Sequence, residues 1–184
     1  FAQISIVGTV PLVFVVNPGV PARDIKELVA LAKSQPGKLS FASAGNGSPQ
    51  HLATEMFKRQ TQVDVMHVPY KGSAPMVNAM LGGEVQLSFD SASTSLPHVQ
   101  SGKLRAIAVS WSERLAVLPE VPTYKEVGHS ELNDPSWFGL VAPKGTPAVQ
   151  VERVQKAVAQ ALQEPAVKKR MDAQGLYPSG TASA

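Results

Sequence analysis

This chain predicts an α/β fold with a mostly parallel sheet, and three observations carry the prediction. Short apolar segments alternate with helical patterns along the sequence, the order that builds parallel sheets with crossover helices. Two of the segments run through glycine- and serine-rich turns straight into helices, near residues 43–48 and 69–73. Both turns, and Asp90, follow strand ends, and ligands of parallel sheets sit at the carboxyl ends of strands.

Each element follows from local pattern. Residues 4–16 are apolar and β-branched, broken at Pro11, so they form one extended strand or two short ones. Asn17-Pro18-Gly19 stops them. A helix begins near Asp24, with Ile25, Leu28, Val29 and Ala32 on one face, and Pro36-Gly37 ends it. Residues 39–42 are a strand. The helix opening at Pro49 carries Leu52, Ala53, Met56 and Phe57 at helical spacing, and residues 63–68 form an alternating strand. Met76, Val77, Met80 and Leu81 make the apolar face of the next helix, which Gly82-Gly83 closes. Val85, Leu87 and Phe89 alternate with Gln86 and Ser88, predicting a half-buried strand that ends at Asp90. A short helix over 96–101 stops at Gly102. A strand over 104–110, a brief helix over 124–127 and a last strand over 137–141 follow. Val151, Val154, Val158, Ala161 and Leu162 mark a long amphipathic helix starting near Pro147. Pro165 opens a final helix that stops at Gly175, and 177–184 reads as a frayed tail.

Composition narrows the functional classes. Of 184 residues, 43% are hydrophobic and 17% charged, ordinary for a globular domain. No apolar run approaches the ~18 residues needed to cross a membrane, so direct insertion is not expected. The net charge of +3 is spread out, and the run Lys168-Lys169-Arg170 falls late in a helix, where cations suit the dipole. Nucleic acid is therefore not an expected partner. With no cysteine there are no disulfides or cysteine-ligated metals, which is compatible with the periplasm. The four histidines lack metal-site spacing, so neither a metal nor another cofactor is expected. The opening Phe1-Ala2-Gln3-Ile4 is no signal peptide and has no initiator Met; it reads as the interior of something longer.

The stretch Ser43-Ala44-Gly45-Asn46-Gly47-Ser48 supports two readings. Asn-Gly favours tight turns on steric grounds alone. Alternatively the loop is an anion cradle: it leads into a helix N-terminus, whose first N–H groups lack intrahelical partners and whose dipole end is positive. It is not a dinucleotide fingerprint, since Gln50 occupies the third glycine position, and it is not a Walker loop. Ser48, His51 and Asp90 do not make a nucleophilic triad on this pattern: Ser48 fits an N-cap, and no catalytic residue is assigned. His67 lies between apolar neighbours and reads as structural. In the second turn Tyr70 precedes Lys71, which is either a ligand contact or a solvated lysine. Gly72 lets backbone approach a ligand and Ser73 can cap the helix. Asp90 either meets a ligand or caps the helix after Ser91. Trp137 reads as core rather than as a ligand platform.

Taken together, these stretches resemble one family. S-A-G-N-G-S-x-x-H-L at 43–52, H-V-P-Y-K-G at 67–72, and L-G-G-E-V with F-D at 81–90 resemble the solute receptors of tripartite tricarboxylate transporters, the Bug-type receptors. G-K-L-R-A-I-A-V at 102–109, V-P-T at 121–123 and W-F-G-L-V-A-P-K-G-T-P at 137–147 continue the likeness in order. The resemblance implies a type II periplasmic-binding-protein-like fold with two lobes. Residues 1–12 would be a crossing segment of the first domain, 13–135 the second, nearly complete domain, and 136–184 the C-terminal part of a partial first domain. It further implies a non-enzymatic periplasmic protein that captures a small carboxylate (a di- or tricarboxylate, an acidic amino acid or an aromatic acid) and delivers it to the membrane components of the transporter.

On that implication Ser43, Ala44, Gly45, Asn46, Gly47 and Ser48 hold the carboxylate. Tyr70, Lys71, Gly72 and Ser73 lie along the floor, Asp90 orients a distal polar group or a water, and His51 tunes specificity. The opening region of family members has no counterpart here, so the chain is expected to be a fragment. Its incomplete first-domain sheet would expose apolar surface, invite self-association and leave carboxylate binding weak or lost. The rival readings are an effector-sensing domain of a transcription regulator with a similar two-lobed fold, and an enzyme acting on a small acid.

Overall fold

The computed structural model of the chain describes residues 1–180. The chain divides into two compact units, one of Phe1–Val10 with Pro135–Ala184 and one of Pro11–Asp134. Strand β1 (Ala2–Val10) belongs to the first unit. Pro11 has no N–H to continue a ladder, and strand β2 (Leu12–Val16) starts in a different sheet, so the apolar opening is two strands.

In the unit Pro11–Asp134, β2 is buried along its whole length, because it runs through the middle of the sheet. Asn17 turns the chain, its Oδ1 accepting from Gly19 N at 2.9 Å. Helix α1 (Ile25–Ser34) is capped by Asp24, whose Oδ1 accepts from Glu27 N at 2.8 Å. Strand β3 (Ser40–Ser43) is wholly buried and leads through the glycine loop to helix α2 (Pro49–Thr61). The buried face of α2 is Gln50, Thr54, Phe57 and Thr61, not the expected apolar face: Leu52 and Met56 are exposed. The threonines can be buried because Thr54 Oγ1 donates to Gln50 O and Thr61 Oγ1 to Phe57 O.

Strand β4 (Met66–Pro69) is shorter than expected and edges the sheet; the preceding Val63 and Val65 are buried all the same. Helix α3 (Ser73–Leu81) buries Met76, Val77, Ala79 and Met80. Strand β5 (Leu87–Ser91) is buried on both faces, Ser88 and Asp90 included, because it lies between β3 and β2. This corrects the half-buried expectation. Helix α4 (Ala92–Gln100) starts directly after β5 and accommodates Pro97 in its interior, four residues before the expected start. Strand β6 (Arg105–Val109) completes the sheet.

The sheet order is β4-β3-β5-β2-β6. β3 is parallel to β4 and β5, and β2 is antiparallel to both β5 and β6, so four strands run one way and β2 the other. Within the core Phe14 stacks on Phe89 at 4.2 Å and meets Phe57 edge-on at 5.0 Å, while Tyr124 lies over Phe89 at 5.8 Å. The expected helix over 124–127 is a single turn. Thr123 Oγ1 accepts from Glu126 N as in a helix start, but Gly128 adopts φ +84 and ends it at once. A short 3-10 turn follows at Ser130–Leu132.

The other unit continues with β7 (Ser136–Ala142), α5 (Ala148–Ala161), α6 (Pro165–Asp172) and β8 (Tyr177–Pro178). β1 pairs antiparallel with both β7 and β8, giving the order β7-β1-β8. The expected frayed tail is thus a strand at its start, and its last residues, 181–184, lie outside the described residues. Helix α5 lies against β1 yet buries none of its own residues. Trp137 is 63% exposed rather than core.

Candidate functional site

The carboxyl ends of β3, β4 and β5 lie at one edge of the larger sheet, because these strands are parallel and in register: Ser43 pairs with Pro69 and Phe41 with Leu87. The two candidate turns therefore emerge side by side, and the backbone ties them together. Tyr70 N donates to Ser43 O at 2.9 Å and Gly72 N to Ala44 O at 3.1 Å. Gly45 has φ +138, with the Tyr70 carbonyl 3.5 Å from where its Cβ would stand. A side chain at this position would be strained by the backbone conformation itself.

Within 43–48 the hydrogen bonds leave a defined set of donors. Ser43 is fully buried; its Oγ takes Gly45 N at 3.2 Å and donates to Gly45 O at 3.1 Å. Ser48 N donates to Gly45 O, and Ser48 Oγ accepts from His51 N at 3.3 Å, the N-cap expected of it. Gly47 N donates to His51 Nδ1 at 3.0 Å. Among the described residues, the N–H groups of Ala44, Asn46 and Gln50 have no protein acceptor. Asn46 and Gly47 are exposed, and Ala44, Gly45 and Ser48 partly so. These donors lie on the loop and first turn that open α2, where the dipole adds positive potential; a helix N-terminus of this kind can hold a carboxylate or phosphate oxygen.

On the second turn Lys71 is exposed and Gly72, at φ +106, is the N-cap of α3, so Ser73 is the first helical residue and not the cap expected of it. No side chain caps α3, which leaves its first donors open toward the same edge. Burial, then the nearby Glu84, raises the Tyr70 hydroxyl above its ordinary range, so it stays a neutral hydrogen-bond donor.

Asp90 is fully buried at the next strand end. Its Oδ2 accepts from Thr94 Oγ1 at 2.6 Å, while Oδ1 is buried without a partner among the described residues. Burial raises this carboxyl to about 6, against the opposing hydrogen bonds of Thr94 and Ser91. Its hydrogen bonds go to the start of α4 rather than to either loop.

Two further residues adjoin the loop, neither of which the sequence reading assigned to the site. Gln50 is buried in the first turn of α2 with its Oε1 unpartnered among the described residues. His67, expected to be merely structural, places Nε2 2.7 Å from Ser43 Oγ and stacks between Phe41 at 4.6 Å and His51 at 4.1 Å. Strand alternation held the signal: Phe41 and Ser43 share a face of β3, and the register sets His67 against them. Burial, then the His51 charge, lowers the His67 imidazole below its ordinary range. The Ser43–His67 pair does not read as nucleophile and base, because Ser43 is fully buried and its hydroxyl is engaged with Gly45. Among the described residues no group of three or more histidines, aspartates or glutamates could hold a metal ion.

The chain is similar to several known proteins. Residues 1–183 match the family model described as "Tripartite tricarboxylate transporter family receptor". Protein BugT of Bordetella pertussis is 39% identical over 175 residues, which cover 95% of this chain and 54% of BugT. A solved structure titled as a periplasmic transporter superposes with TM-score 0.95 at 42% identity, covering 100% of this chain and 61% of that one. Rhodopseudomonas palustris Rpa4515 with adipate gives 0.94 at 32% identity over 100% and 61% of the two chains. MatC from the same organism with bound malate gives 0.92 at 30% identity over 97% and 60%. The chain spans about half the length of the curated relatives it matches. It has the periplasmic-binding-protein fold of these neighbours, and it belongs to the tripartite tricarboxylate transporter receptor family, whose members are solute-binding receptors rather than enzymes.

Proposed function

We propose that this chain carries the carboxylate-holding loops of a periplasmic receptor that captures a small dicarboxylate for the membrane components of a tripartite transporter. The observation that carries the reading is the set of free N–H groups on Ala44, Asn46 and Gln50 at the start of α2. Ser43, Gly45, Gly47 and Ser48 shape the loop that presents them, and Lys71, Gly72 and Ser73 extend it on the adjoining turn. Tyr70, on the same turn, is a further candidate contact. Asp90 meets a distal polar group of the ligand or a water, and His51 tunes the site. Adipate and malate in the solved relatives favour a dicarboxylate. The family match supports the transporter partner and the periplasmic location, and no helix among the described residues is long and apolar enough to cross a membrane.

The test is a thermal-shift series with acetate, succinate, malate, adipate, citrate and benzoate at increasing concentration. A ligand at tenfold excess over its Kd stabilises by about 1.4 kcal/mol. The dicarboxylates are expected to raise Tm in a concentration-dependent way and benzoate is not. No shift with any of them would overturn the carboxylate reading, and a shift with benzoate alone would overturn the dicarboxylate class.

A further inference from the structure

His51 stands in an unusual place for a helix residue of the first turn. Its Nδ1 accepts the Gly47 N–H at 3.0 Å, one of the donors that the loop could otherwise turn on an anion. An imidazole nitrogen that accepts a hydrogen bond carries no proton, so the neutral ring holds its proton on Nε2. The ring is fixed from the other side by His67, stacked at 4.1 Å and 10°, and His67 is fixed in turn by Phe41 at 4.6 Å. A pre-positioned imidazole therefore competes with the ligand for a loop N–H.

We propose that His51 is a proton-linked gate on this loop: its ring holds the Gly47 N–H here, yields it to an incoming carboxylate, and takes up one proton from solvent at Nδ1 as it does so. The proposal rests on the carboxylate reading of the loop and adds its regulation. A carboxylate oxygen replaces Nδ1 as the acceptor of the Gly47 N–H. The freed Nδ1 then lies beside an anion, where the imidazolium is favoured by charge, and the new N–H can donate to the same carboxylate. Binding and protonation strengthen each other by the same factor, as linkage requires.

The charged and titratable groups around the pair fit a single proton. His67 on β4 faces the His51 ring, and its own protonation is opposed by burial and then by His51, so the stack takes one charge rather than two. Glu55 favours charge on His67 and Lys58 opposes it, both from α2. Lys58 is engaged elsewhere, its Nζ 2.8 Å from Glu55 and 5.7 Å above the Phe41 ring.

The experiment measures the affinity for malate by amide NMR titration at about pH 6 and about pH 8, either side of the ordinary histidine range. It compares the wild-type chain with His51→Gln, which keeps a hydrogen-bonding side chain but cannot titrate, and with His129→Gln, which removes a histidine lining a separate groove. A one-proton linkage changes affinity by at most about tenfold per pH unit. The wild-type chain is expected to bind severalfold tighter at the lower pH, with the Gly47 amide among the shifted resonances. The His51→Gln ratio is expected to fall close to one, while His129→Gln keeps the wild-type ratio. Binding with the same ratio in His51→Gln and wild type, or with the Gly47 amide unmoved, overturns the gate and leaves the carboxylate reading standing. Absence of binding at both pH values overturns the carboxylate reading and the gate with it.

Discussion

Asp90 shows how a single buried group sets a pH dependence. Burial raises its carboxyl to about 6 in the folded state, whereas an aspartate in an unfolded chain titrates near about 3.9. The folded state thus holds this proton more tightly. The stabilisation is complete below the unfolded value and is lost as pH rises through about 6. Asp90→Asn removes the charge and keeps an acceptor for Thr94. It should raise the unfolding free energy near pH 8 by up to roughly 2–3 kcal/mol, and by little near pH 4. Denaturant titrations at the two pH values check this; the same increment at both would contradict it. Ser48→Ala should cost about 1 kcal/mol by removing the cap of α2, read from the same titrations. That cap was legible in the sequence because it depends only on neighbours: a serine just before proline at a helix start. The Ser73 cap was misread because the chain bends one residue earlier, where Gly72 takes a φ of +106 that serine would resist. The contacts of His67 were not legible because its partners, Ser43 and His51, come from other elements.

At the scale of elements, breakers and periodicity placed most strands and helices, since Pro11, Asn17-Pro18-Gly19, Pro36-Gly37 and Gly82-Gly83 each interrupt the backbone by local chemistry. Burial was less legible. β5 alternates apolar and polar residues, yet both faces are buried because β3 and β2 flank it and polar side chains find partners inside. Ser88 Oγ, for example, donates to Ala42 O at 2.9 Å. α2 hides polar residues and exposes Leu52 and Met56 for a similar reason: its orientation is set by Phe57 docking on Phe14, not by the most apolar stripe. This aromatic cluster is where the larger unit is most sensitive. Phe14→Ala removes a ring that stacks on Phe89 and meets Phe57 edge-on, and should cost about 3–5 kcal/mol, whereas Leu52→Ala on the exposed face should cost under ~1 kcal/mol. Chemical denaturation of both variants distinguishes this packing from one in which Leu52 belongs to the core.

At the scale of the molecule, the two compact units differ in kind. The Pro11–Asp134 unit holds the aromatic core and both candidate loops. The other unit leaves Trp137, Phe138, Leu140 and Val141 exposed along β7, an edge strand of its sheet, and Val149 and Val154 exposed on α5. An apolar edge strand is a template for pairing with a second copy. Concentration-dependent association is therefore expected in sedimentation velocity, and Leu140→Lys should suppress it; a strictly monomeric wild-type chain at high concentration would contradict this. The family was legible because its short motifs recur in order along nearly the whole chain. Which donors the loop leaves free was not, because that depends on hydrogen bonds from Ser43, His51 and the second turn. Amide NMR of the chain titrated with malate shows whether those free donors receive a carboxylate. The Ala44, Asn46 and Gln50 resonances are expected to shift together and saturate. Shifts confined to another surface, such as the groove lined by Lys26, Val29 and Gln62, would contradict it.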